Sequence, residues 1–203
     1  MRTGFLEYGE FLALRDALPE YLKGYVTFAY KTGCRKSECI NLTWQQVNLH
    51  ERTVTLNPGT TKNDEGRTIC LDDELVEVFT RQWENRKKAK KILPYVFPNF
   101  NGTAKIGNFI FAWKAACKKA GIGHKLIHDC RRSAVRNLVR SGVPERVAMM
   151  ISGHKTRSVF ERYNIVSAED LKQAAARQQV YLQEQTVTDT VTILQFNPKS
   201  ASK

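Results

Sequence analysis

Hydrophobic residues near the start of the chain recur every three or four positions, which is the spacing of an amphipathic α-helix. Pro19 divides this pattern into two predicted helices, because proline is well suited to the first turn of a helix. In the second helix Leu22, Val26 and Tyr30 share one face, and Gly33 is predicted to end it. A third helix is predicted to begin near Arg35.

The period then changes from helical to two. Val54 and Leu56 alternate with threonines, and Ile69 and Leu71 alternate with Thr and Cys further on. The turn-forming sequence Asn-Asp-Glu-Gly at 63–66 lies between the two alternating runs. Residues 52–71 are therefore predicted to form a β-hairpin.

Helical patterns return in the rest of the chain. They predict helices at 72–91, 106–120, 129–140, 145–152, 157–164 and 167–185. A short extended segment is predicted at 95–98 and a β-prone strand at 191–196. The fold class is α+β: a mostly helical domain over 1–185 with a small antiparallel β-sheet, followed by a C-terminal tail over 186–203.

Composition narrows the class of protein. With 42% hydrophobic residues the chain can build a core, which excludes intrinsic disorder, and its apolar runs are too short to cross a bilayer. Five cysteines without a CxxC pair argue against a disulfide framework or a zinc module. We therefore expect a cytoplasmic protein with no membrane partner and no zinc module.

The net charge of +12 gives the strongest indication of a binding partner. Such an excess favours a polyanionic partner, of which nucleic acid is the commonest, although a basic surface can also serve solubility alone.

Candidate chemistry lies in the second half of the chain. His128 and Arg131 are three apart at a predicted helix start, so both side chains fall on one face. Gly153 and His154 end the next predicted helix, and Tyr163 follows nine residues later. Guanidinium and imidazole groups suit a phosphate, and a tyrosine hydroxyl can attack phosphorus when cations stabilise the transition state. Each feature alone is also typical of a solvated helix face, a helix cap or a core aromatic.

Their combination resembles the tyrosine recombinase (phage integrase) family. Residues 32–44 (TGCRKSECINLTW) are similar to its first arginine box, and 128–133 (HDCRRS) to its second. Residues 152–155 (SGHK) and 162–163 (RY) resemble the terminal box with the nucleophile. The resemblance spans about 5–180. Cys39 and Cys130 replace larger aliphatic residues of the family and are expected in the core.

The resemblance implies a role for each matching residue. Arg35, Arg131, His128 and His154 would surround the scissile phosphate, while Tyr163 would attack it to form a 3′-phosphotyrosine. Lys62, on the predicted hairpin, matches the lysine that protonates the leaving oxygen. Further DNA contacts are expected from four basic residues near these boxes: Lys36, Arg132, Arg136 and Lys155.

The function implied is that of a site-specific DNA recombinase, which integrates or excises a mobile element and needs no metal and no cofactor. The partner would be double-stranded DNA, on which monomers assemble into a tetramer, in the cytoplasm and associated with the nucleoid. The family's preceding DNA-clamping domain is expected to be absent from this chain. Two alternatives remain: a type IB-like topoisomerase with the same chemistry, and a basic DNA-binding module without catalysis. The intact set of catalytic residue types argues against the second.

Overall fold

The computed structural model of the chain describes residues 4–57, 66–89, 91–163, 166 and 168–194. The chain divides into two units, Met1–Asn164 and Ile165–Lys203. The helices of the first unit are α1 (Tyr8–Ala17), α2 (Glu20–Thr32), α3 (Lys36–Asn41), α4 (Asp73–Lys88), α5 (Ile110–Lys119), α6 (Ile127–Arg140), α7 (Glu145–Ser152) and α8 (Arg157–Glu161). The second unit contains α9 (Ala168–Leu194).

Helix α2 lies at the centre of the first unit. Its predicted apolar face is buried, and the helix packs against α1, α3, α4 and α6. The hydrophobic effect drives this arrangement, because α2 carries more apolar side chains than one face can hold. Cys39 and Cys130 are buried in the same core, as expected.

The sheet has three antiparallel strands: β1 (Val47–Asn48), β2 (Thr53–Leu56) and β3 (Arg67–Cys70). Strands β2 and β3 form the predicted hairpin, with Val54 opposite Ile69 on the buried face. Its turn lies outside the described residues. The alternation pattern does not predict β1, which contributes only two residues to the sheet.

A second, smaller apolar cluster joins α6, α7 and α8. Val135, Ala148 and Phe160 are its buried members, and the Tyr163 ring packs against it. Phe160 is fully buried three residues before Tyr163. The cluster therefore fixes α8, and with it the predicted nucleophile, against the helix that carries His128 and Arg131.

Several bounds differ from the sequence-based predictions: α4 ends at Lys88 rather than at 91, α6 begins at Ile127 rather than at 129, and α8 ends at Glu161 rather than at 164. Helix α5 begins at Ile110 rather than at 106, and the Asn108 side chain just before it accepts a hydrogen bond from the Ile110 N–H. The predicted strand at 191–196 is wrong over 191–194, where α9 continues to Leu194; the last two residues lie outside the described part. Each residue added to a helix gains a backbone hydrogen bond, whereas an isolated strand gains none.

The predicted division into 1–185 and 186–203 stays a prediction. Across the described part of the chain, the helices are too short or too polar to span a membrane.

Candidate active site

The predicted catalytic residues of the described chain meet where four helices end or begin. Arg35 precedes α3, His128 and Arg131 lie in the first turns of α6, His154 follows α7, and Tyr163 follows α8. The structure thus brings together residues as far apart in sequence as 35 and 163.

Arg131 is held by main-chain oxygens. Its side chain is buried, with only 4% of the residue exposed, and Nη1 donates to the carbonyls of Gly33 and Ser152. Each of these carbonyls lies at the C-terminal end of a helix, α2 or α7, where the helix dipole favours a cation. Burial, with a contribution from the nearby Arg35 charge, lowers the pKa of Arg131 to about 10, so the guanidinium stays charged at neutral pH.

His154 is held as one neutral tautomer. The Ser152 hydroxyl donates to the Ala148 carbonyl at 2.6 Å, so its oxygen accepts from the Nδ1–H of His154 at 2.8 Å. The other ring nitrogen, Nε2, then accepts from Nη2 of Arg131 at 2.9 Å. Burial and the Arg131 charge lower the pKa of His154 to about 3, in agreement with this assignment.

Arg35 occupies the N-terminal cap position of α3. Its Nη1 donates to Glu38 Oε1 at 2.8 Å, and its Nη2 donates to the Gly153 carbonyl at 2.9 Å. Arg35 and Arg131 are therefore both anchored to the turn that leads from α7 to His154.

The Tyr163 hydroxyl lies 2.8 Å from Nε2 of His128. Burial, together with the charges of Arg131 and Arg132, lowers the pKa of His128, which favours the neutral imidazole. A neutral imidazole nitrogen at hydrogen-bond distance can accept a proton from a hydroxyl. The geometry therefore places the Tyr163 hydroxyl within reach of a nitrogen that could accept its proton.

Sequence reasoning missed an ion pair beside this cluster. Glu38 and Arg67 are joined by a contact of 2.6 Å, and their side chains are only 1% and 9% exposed. Burial alone would raise the pKa of Glu38, but the hydrogen bonds and charges of Arg67 and Arg35 lower it overall. The spacing of three between Arg35 and Glu38 is a signal of contact within α3. No signal in the sequence indicates Arg67.

Lys62 lies outside the described residues, so its role stays a prediction. Among the expected DNA contacts, Lys36 and Lys155 are exposed, and Arg132 lies over the Tyr163 ring, 5.7 Å from its centroid. Arg136, the fourth expected contact, is buried.

Arg136, four residues after Arg132 on α6, is buried in the structure. Its side chain is 7% exposed, it pairs with Glu7 at 2.6 Å, and it lies over the Phe5 ring. The N-terminal segment covers Arg136, and the ion pair ties that segment to α6. The expected DNA contact of Arg136 stays a prediction.

A cleft of about 830 Å³ opens beside the site, between the hairpin and α7. Arg35, Arg67 and His154 form its polar end, and Val147 and Met150 line its apolar part. Within the described ranges, no three His, Cys, Asp or Glu side chains come close enough to hold a metal ion.

The chain is similar to known recombination proteins. The sequence pattern of the phage integrase family matches residues 5–170. The integrase of Salmonella phage P22 is 30% identical over 180 residues, which cover 86% of this chain and 46% of that protein. Tyrosine recombinase XerD of Vibrio cholerae is 27% identical over 80% of this chain and 53% of its own length. The chain thus spans about half the length of these relatives.

Solved structures have the same fold. The crystal structure of XerA recombinase matches with a TM-score of 0.75 at 22% identity, over 88% of this chain and 66% of that one. The Tn1549 transposon integrase in complex with circular intermediate DNA matches with a TM-score of 0.68 at 18% identity, over 87% and 65% of the two chains.

Proposed function

This chain belongs to the phage integrase family, and from that premise we propose that it is the catalytic domain of a site-specific DNA recombinase. It would cut and rejoin DNA strands through a covalent 3′-phosphotyrosine, and so integrate or excise a mobile element. The observation that carries the proposal is the hydrogen bond between Tyr163 and His128, next to two anchored arginines.

The first step is an attack on phosphorus. As the Tyr163 oxygen bonds to the scissile phosphate, its proton passes to Nε2 of His128, which lies 2.8 Å away. The bond from phosphorus to the 5′ oxygen breaks, and Lys62 donates a proton to that oxygen, as the resemblance implies. The reverse sequence, with a 5′-hydroxyl from another strand, rejoins the DNA.

Two guanidinium groups would stabilise the charge that develops on the phosphate. The Nε–H and the second Nη2–H of Arg131 have no hydrogen-bond acceptor among the residues that the structure describes, so they are placed to bind phosphate oxygens. The Nε2 atom of His154 accepts from Arg131. We infer that His154 acts on the phosphate by orienting this guanidinium.

Double-stranded DNA is the proposed substrate, contacted along its backbone by Lys36, Arg132 and Lys155. The Tn1549 integrase structure, which shares this fold, contains DNA. The protein would act in the cytoplasm, associated with the nucleoid.

Assembly is proposed to occur on DNA, as a tetramer of chains that are monomeric when free. Exposed apolar side chains of α9, among them Leu171, Val180 and Leu182, support a role for this helix in contacts between protomers. Their burial in an assembly would remove the cost of exposing them to water.

Covalent attachment tests the proposal directly. A nicked, end-labelled duplex carrying the target sequence should yield a protein–DNA adduct on a denaturing gel. Tyr163→Phe should bind the duplex but yield no adduct, because the substitution removes one oxygen and keeps the ring. A persistent adduct in this variant would assign the nucleophile to another residue.

A further inference from the structure

Arg67 lies on β3, outside the three sequence boxes, but its guanidinium ends inside the cation cluster. Its Nη2 and Nη1 lie 2.6 Å and 3.3 Å from the two oxygens of Glu38, and its Nε donates to the Ile151 carbonyl at 3.1 Å. Nη2 also lies 3.7 Å from Cys34 Sγ. All three nitrogens of Arg67 therefore have protein partners, which leaves it poorly placed to bind a phosphate itself.

The guanidinium lies directly beneath the turn that leads to His154. A Cβ atom built on Gly153 would be only 2.7 Å from Nη1 of Arg67, so any larger residue there would displace the Arg67 guanidinium. Gly153 also has a φ of 69°, which glycine adopts without strain. The carbonyl of the same glycine accepts from Arg35. Arg67 and Arg35 thus both donate to main-chain oxygens in this part of the chain, Arg67 to Ile151 and Arg35 to Gly153.

Glu38 lies between these two guanidinium groups. Its carboxylate is almost fully buried, and a buried charge is stable only when it is paired and hydrogen-bonded. With Arg67 present, the carboxylate has a bidentate partner and makes one side-chain contact to Arg35. Without Arg67, Arg35 would be the cation left to pair with Glu38. The Arg35 guanidinium would then be turned towards this carboxylate and would interact less with the phosphate.

We propose that Arg67 is a positioning residue of the cleavage reaction: it binds the Glu38 carboxylate and the end of α7, and thereby leaves Arg35 oriented and available for the scissile phosphate. The inference rests on the proposed function. It assigns a reaction-related role to β3, through a residue five positions after Lys62 in the chain.

The test compares adduct formation on the nicked duplex at saturating protein, so that DNA affinity does not enter the rate. Arg67→Met should form the adduct about 100-fold more slowly than the wild type, the scale of a displaced reacting group. The double variant Glu38→Gln/Arg67→Met also removes the carboxylate charge that would lack its partner. It should therefore form the adduct at least about 10-fold faster than Arg67→Met. Arg15→Met, which breaks an ion pair between α1 and Glu74 of α4, is the matched control and should cleave like the wild type.

Thermal unfolding and gel shift establish that each variant folds and binds DNA. If Arg67→Met does not fold, the double variant carries the test alone, because it has no unpaired buried charge; its rate should lie within about 10-fold of the wild type. A folded Arg67→Met that cleaves at the wild-type rate overturns the inference. So does a double variant no faster than Arg67→Met, which would indicate that Arg67 contacts the phosphate directly. A wild-type chain that forms no adduct would instead overturn the proposed function.

Discussion

The neutral state of His154 makes a prediction about stability that needs no DNA. In the folded chain the imidazole is enclosed between Ser152 and Arg131, and its pKa lies at about 3. In the unfolded chain the group should titrate at its ordinary value of about 6.5. Between these two values the unfolded state binds a proton that the folded state does not, so acid favours unfolding. The contribution of the neutral His154 to the free energy of unfolding is therefore fully present above the unfolded pKa, and it decreases as the pH falls below that value.

The magnitude follows from the two values. Each pH unit below the unfolded pKa costs about 1.4 kcal/mol, as long as the folded imidazole stays neutral. At pH 5.0 the unfolded histidine is almost fully protonated and the folded one is not. His154 should therefore lower the free energy of unfolding by about 2 kcal/mol between pH 7.0 and pH 5.0.

Urea denaturation at the two pH values measures this difference. His154→Gln keeps an acceptor for Arg131 but cannot be protonated, so its loss of stability on acidification should be smaller than that of the wild type by about 2 kcal/mol. His50→Gln, at a side chain that is 93% exposed, should keep the wild-type pH dependence. If His154→Gln and the wild type lose equal stability, the histidine is charged in the fold, and the assigned tautomer is wrong.

Three further predictions concern the reaction and the assembly. Arg35→Ala and Arg131→Ala should each slow adduct formation by at least about 100-fold, the scale for one fixed donor to a developing charge; near-normal rates in a single-turnover assay would refute the phosphate assignment. Lys62→Ala should be rescued by a duplex with sulfur in place of the leaving 5′ oxygen, because sulfur departs without a proton, and failure of rescue with DNA binding intact would make Lys62 a phosphate contact. Deletion of residues 187–203, which removes the end of α9, should spare cleavage of a nicked duplex but weaken strand exchange; a truncated chain that exchanges strands at the full rate would limit the assembly contacts of α9 to residues before 187.

Much of the helical fold could be predicted because local signals agree with tertiary packing. Gly33 ends α2 and Gly153 ends α7, where both adopt the left-handed conformation that a helix end often requires. The end of the chain could not be predicted in this way. The threonines and valines after 186 favour strands as isolated residues, but α9 continues through 191–194 because helical hydrogen bonds are local and a strand needs a partner.

The site was predictable to the extent that its chemistry lies in short motifs. Arg131 and Tyr163 are in such motifs, whereas Arg67 pairs with a carboxylate 29 residues away in sequence, and only the fold brings the two together. The burial of Arg136 could not be predicted from the sequence either. Its basic side chain favoured a DNA contact, and only the fold shows that it packs against Phe5 and pairs with Glu7, which is 129 residues away in the sequence.

The anchoring of Arg131 and Arg35 by carbonyl groups has a consequence for directed evolution. Main-chain oxygens are unchanged by any side-chain exchange that preserves the path of the chain, and those of Gly33, Ser152 and Gly153 hold both arginines. A library that randomises the exposed face of α7, including Val147 and Met150, would therefore leave the phosphate anchors in place. Under the proposed function, the surface beside the site could therefore change towards new target sequences, while the turn at Gly153 could not.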